Sequence, residues 1–184
     1  MKRRLTQALG GALIFAIVGG AWSAYGVYAL GRSDLPWLLF GPIVVALILI
    51  TLVARLQRRV ERTAEPWTPA ELEQGKKEGR IFAAVNVVQG IAIFIAVQVW
   101  YNLQRPEYLA PTIGIIVGLH FLALAGPMRM PSQRIPGALM IVLAVATMAA
   151  VPSRTQWGVV IGLGNALILW GCYALRLREA YALL

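Results

Sequence analysis

Residues 81–104 read IFAAVNVVQGIAIFIAVQVWYNLQ, a stretch with no Asp, Glu, Lys or Arg, closed by Arg80 on one side and Arg105 on the other. Crossing a hydrocarbon layer about 30 Å thick takes a helix of about 20 apolar residues. This run, counted with its flank as 80–103, is one of six; the others lie at about 8–30, 37–56, 109–126, 135–151 and 156–175. In lipid every backbone N–H and C=O must be satisfied within the fold, and none of these runs shows the alternating polar pattern of a barrel strand. The expected fold class is therefore all-α: a polytopic membrane helix bundle of six transmembrane helices in three hairpins, forming a single transmembrane domain over 1–184.

Composition agrees with that reading. The chain has 184 residues, 59% hydrophobic and 14% charged, and a mean hydropathy of +0.69, too apolar for a soluble domain. Six spans use roughly 120 positions, which leaves no room for a separate soluble domain. The single cysteine excludes a disulfide framework and a cysteine-rich metal site within one chain. A net charge of +9 would suggest nucleic acid in a soluble protein, but here the basic residues bracket the apolar runs, so no nucleic-acid partner is expected. The start, Met1-Lys2-Arg3-Arg4 before an apolar run with Ala21-Trp22-Ser23-Ala24 beyond, resembles a signal peptide. Because the run continues to Leu30, it is read as a retained first span.

Orientation follows from the basic residues. Fourteen of the seventeen Lys and Arg fall at the N-terminus, in the loops after spans two and four and at the C-terminus, while Arg32, Arg105 and Arg154 hold the other side. That asymmetry places both termini in the cytoplasm. Tyr28, Trp37, Trp100, Tyr101, Tyr108 and Trp157 then mark the outer interface, and Trp170 and Tyr173 the inner one. In the one long loop, Thr68-Pro69-Ala70-Glu71 forms a capping box, predicting a short cytoplasmic helix over 68–78 that Gly75 and Gly79 weaken or end before span three. A faint internal repeat opens three outward spans: Gly11-Ala-Leu-Ile-Phe-Ala, Gly79-Arg-Ile-Phe-Ala-Ala and Gly137-Ala-Leu-Met-Ile-Val.

The functional signal is the set of polar side chains at membrane depth, each costly there without a polar partner or a watery surrounding. Counting from the cytoplasmic end of each span, Asn86 lies at ~9 Å, Gln89 at ~14 Å, His120 at ~9 Å, Asn165 at ~15 Å and Thr51 at ~8 Å. Asn86 and Gln89 share one face of span three, and span four follows by a short loop. His120 is thus expected within direct or water-bridged reach of Asn86 or Gln89, with Asn165 a candidate fourth member of a binding cluster. Two roles fit these residues: interhelical hydrogen bonds that hold the spans together, or the lining of a solute path. His120 is the group among them that changes charge near neutral pH.

Enzymatic readings fail on inventory. No Asp or Glu lies within a span, so neither a carboxylate dyad nor a carboxylate metal site forms at depth. Ser23 and His120 differ in depth by ~13 Å, too far for a nucleophile and its base. A lone His cannot supply a bis-histidine haem, and Cys172 reads as a small buried apolar residue. No catalytic residue, metal or cofactor is expected. Gly114-x-x-x-Gly118 and Gly158-x-x-x-Gly162 are close-packing faces, open to pairing within the chain or between two copies in a homo-oligomer.

At Gly79-Arg-Ile-Phe-Ala-Ala-Val-Asn-Val-Val-Gln-Gly and Ile116-Val-Gly-Leu-His-Phe-Leu-Ala-Leu-Ala the chain resembles a group of small, uncharacterised bacterial polytopic membrane proteins. The resemblance implies a multi-pass protein of the bacterial inner membrane and carries no chemistry with it. Together these readings lead to a small channel or transporter-like protein for a small or neutral solute, with a polar vestibule open to the cytoplasm. The alternative is a non-transporting accessory or assembly protein acting through helix packing and its cytoplasmic loop.

Overall fold

The computed structural model describes residues 2–31, 36–63, 67–128 and 130–182. It is all-α, with no strand among the described residues and six long helices: α1 (Lys2–Tyr28), α2 (Phe40–Thr63), α3 (Pro69–Asn102), α4 (Leu109–Ala125), α5 (Arg134–Ala150) and α6 (Trp157–Ala182). Each is long and apolar enough to cross a membrane. This is a multi-pass membrane protein. Pro36, Pro106 and Pro131 each open a 3-10 turn immediately before α2, α4 and α5; proline fixes φ and lacks the N–H that would be orphaned there.

The capping box forms as the sequence predicts. Thr68 Oγ1 accepts from the Glu71 N–H at 3.3 Å, and the Glu71 carboxylate accepts from the Thr68 N–H at 2.9 Å. The expected stop at Gly75 or Gly79 does not occur: α3 runs unbroken for 34 residues, joining the short helix and span three. Two glycines cost about 2 kcal/mol of helix propensity. The flanking Glu, Lys, Gln and Leu favour helix, the Gln74 amide donates to Glu78 across one turn at 3.0 Å, and the downstream span supplies a formed helix to extend. At its other end α3 closes through Gln104, which takes the left-handed conformation at φ 54°.

The chain divides into two compact units, one of 1–65 with 162–184 and one of 66–161. In the first, α1 packs on α2, with Gly20 against Ala46, and on α6 from residue 162 onward, with Gly26 against Leu163 and Gly19 against Trp170. As residue numbers fall along α1 they rise along α6, so those two helices are antiparallel. Leu9, Ala12, Phe15, Val53 and Leu169 fill this core, and the Tyr173 hydroxyl donates to the Leu49 carbonyl of α2 at 2.9 Å.

In the second unit α4 packs on both α3 and α5. Gly118 lies against the Gly137 carbonyl, so this small-residue face is engaged within the chain, as Gly162 is against Gly26. Aromatic residues gather at one end: Tyr108 stacks on Trp100 with ring centroids 4.9 Å apart and meets the edge of Trp157 at 5.2 Å. The Trp100 indole donates to Thr112 at 2.9 Å, and the Trp157 indole closes the α5–α6 corner on the Val151 carbonyl at 2.9 Å. Arg154 reaches back to Glu107 at 3.2 Å and lies 5.4 Å from the Tyr108 ring centroid. Amphipathic rings clustered at a helix end suit a membrane interface.

Candidate functional site

The four sequence-selected residues fall in two places. Asn86, Gln89 and His120 belong to the second unit, and Asn165 belongs to the first.

His120 is half-buried on the α4 face turned to α3. Its ring meets Phe82 of α3 edge-on at 6.4 Å and Phe121 at 5.7 Å. His120 therefore approaches α3, and of the two contacts expected with Asn86 or Gln89, direct or water-bridged, the direct hydrogen bond is not made. Nδ1 of His120 is buried with no hydrogen-bond partner. Asn86 is exposed and its amide donates to the Phe82 carbonyl one turn back, at 2.7 Å. A side chain that can bond its own helix needs no reorganisation of a neighbour, which favours this local pairing over a bond across the seam. Thr51 does the same on α2, donating to the Leu47 carbonyl at 2.7 Å. Gln89 is half-buried on the α3 face of Phe82.

Asn165 is in a different condition. It is 0% exposed, and neither Nδ2 nor Oδ1 has a hydrogen-bond partner. On α6 it begins a buried line, Asn165, Leu169, Cys172 and Arg176, spaced i, i+4, i+7 and i+11 and so on one face. Arg176, 7% exposed, donates one nitrogen to Glu179 at 3.1 Å while Nη2 is buried without a partner. Trp170, beside Gly19 of α1, likewise carries an unpaired buried Nε1–H. Measured from Trp157, these groups lie about 12, 20 and 28 Å along the helix. The orphaned set is rich in donors, holds one acceptor, Asn165 Oδ1, and its one charge is balanced by Glu179.

Trp170 and Arg176 were not selected as site residues from sequence. Arg176 counted there only as a charge beyond a span ending at 175, whereas α6 continues to Ala182 and buries it. Its spacing of eleven from Asn165 is the signal that would have found it.

Among the described residues no three His, Cys, Asp or Glu side chains converge on a metal-sized site. No protein-family model, curated protein or solved structure matches the chain.

Proposed function

We propose that this chain is a small channel or transporter-like protein of the bacterial inner membrane, both termini cytoplasmic, that passes a small neutral solute along the buried polar face of α6. The observation that carries this reading is Asn165, wholly buried at membrane depth with both polar atoms unpaired. Residues kept only as glue between helices pair with each other, and an unpaired buried amide costs several kcal/mol against hydrocarbon. A polar solute or its water supplies the missing bonds. Arg176 and Trp170 extend the donors along α6 toward its cytoplasmic end. No carboxylate lies within a span to couple transport to protons, which favours passive permeation and a non-enzymatic role.

The accessory reading keeps one specific support: few residues of the α3 membrane segment are fully buried, and Val87, Val88 and Phe94 are each more than 60% accessible. Flux decides between the two. Purified protein in proteoliposomes, followed by stopped-flow light scattering with a size series of neutral solutes from urea to glycerol, should shrink and swell faster than empty vesicles, and Asn165→Leu should abolish the difference. Wild-type rates equal to those of empty vesicles across the series would return the protein to the accessory reading.

A further inference from the structure

At 34 residues α3 is about 51 Å long, about 20 Å more than a hydrocarbon core requires. With Trp100 and Tyr101 set at the outer interface, Arg80 lies about 30 Å inward along the helix and Lys76 and Lys77 about 35 Å inward. That is the depth of the inner-leaflet phosphates. At this level the helix borders an open groove of about 690 Å³ lined by Ala70, Glu73, Gln74, Lys76, Lys77 and Arg80. Lys76, Lys77 and Arg80 are exposed, and among the described residues none of the three makes a hydrogen bond or an ion pair. Among the described residues that line it, Glu73 carries the one carboxylate set against them.

We propose that this groove binds the phosphate of an anionic phospholipid of the inner leaflet. Three cations within five residues face the Glu73 carboxylate in this groove, while the neighbouring Glu78 carboxylate is buried and accepts from the Gln74 amide. Three unpaired cations on an exposed surface would serve as topological signals wherever they stood. Here they line one groove at phosphate depth, where a lipid phosphate is held in place and a soluble anion is not. A basic residue near an anionic bilayer surface is worth about fivefold in binding. The site is independent of the transport reading, since it concerns the headgroup layer and not the α6 face.

The test is native mass spectrometry of the full chain released from detergent with equal amounts of phosphatidylglycerol or phosphatidylcholine. Wild type should retain phosphatidylglycerol in clear excess. The variant Lys76→Gln/Lys77→Gln/Arg80→Gln, which keeps polarity and helix propensity, should lose nearly all of that excess, about a hundredfold at about fivefold per residue, at unchanged thermal stability, whereas Arg55→Gln/Arg58→Gln on α2 should keep it. The proposal is overturned if the triple variant retains the excess, or if the α2 control loses as much. It is also overturned if millimolar inorganic phosphate displaces the lipid, which would make this a site for the free anion.

Discussion

A methyl group added at Gly118 would lie 2.7 Å from the Gly137 carbonyl oxygen, and one added at Gly137 would lie 2.7 Å from the Gly118 carbonyl oxygen. An ordinary contact needs roughly 0.7 Å more. Neither obstacle is a flexible side-chain end, so Gly118→Ala forces α4 and α5 apart along their seam, and Ile141, also 2.7 Å from the new methyl, must shift as well. Overpacking of this kind costs about 1–3 kcal/mol, or about 2–10 °C in melting temperature for a chain of this size. Gly137→Ala should cost a similar amount. The double variant should lose less than the sum, because the first methyl has already opened the gap that the second requires. Gly90→Ala is the control: nothing lies within 4 Å of a Cβ there, so the substitution should stabilise α3 by about 0.5–1 kcal/mol. Circular dichroism melts of the purified variants in one detergent measure all four. Strict additivity at Gly118 and Gly137, or a Gly118→Ala protein as stable as wild type, would refute the direct backbone contact.

Three other expectations follow from single features. Thr68→Ala removes the acceptor for the Glu71 N–H and should cost about 0.5–2 kcal/mol locally, seen as faster hydrogen exchange at amides 70–72 with the rest of α3 unchanged. At the aromatic end, its own backbone N–H and then Arg154 and Arg105 hold the Glu107 carboxyl below the ordinary carboxylate range against some desolvation. A group lowered in the folded state contributes stability above its unfolded pKa and loses it as pH falls through the folded value. The melting-temperature difference between wild type and Glu107→Gln should therefore shrink on acidification from pH 7, and a constant difference would show that the Arg154 tie contributes nothing. A periplasm-active reporter fused after Leu184 should stay silent; strong activity would reverse the proposed orientation.

Hydropathy alone located all six helices, because the length of an apolar run measures the thickness it must cross and nothing in the fold can override that. Helix ends followed the same logic where proline or the Thr68 cap sets them. At Gly75 and Gly79 local propensity misled, since a glycine penalty of about 1 kcal/mol each is smaller than the cooperative gain of continuing a formed helix. The glycine faces were legible as close contacts but their partners were not: spacing shows that Gly118 and Gly162 admit a neighbour, while Gly137 and Gly26 are supplied by topology. In the candidate site, depth correctly placed His120 beside α3. Depth cannot show how an amide spends its hydrogen bonds, so Asn86, bonded to its own helix, and Asn165, bonded to nothing, looked alike in the sequence. Arg176 escaped notice because its burial depends on how far α6 continues past the apolar run.

Water at the buried face of α6 is the claim on which the functional reading stands, and X-ray radiolytic footprinting reads it without a substitution. Hydroxyl radicals formed from water held beside a side chain oxidise sulfur and indole groups. Cys172, on the line of Asn165 and Arg176, and Trp170 should be oxidised at rates approaching that of Trp37, which is 59% exposed. Met140, 0% exposed in the α4–α5 unit, supplies the dry reference. Cys172 and Trp170 as silent as Met140 would mean that the polar face of α6 is dry, and that no solute path runs along it.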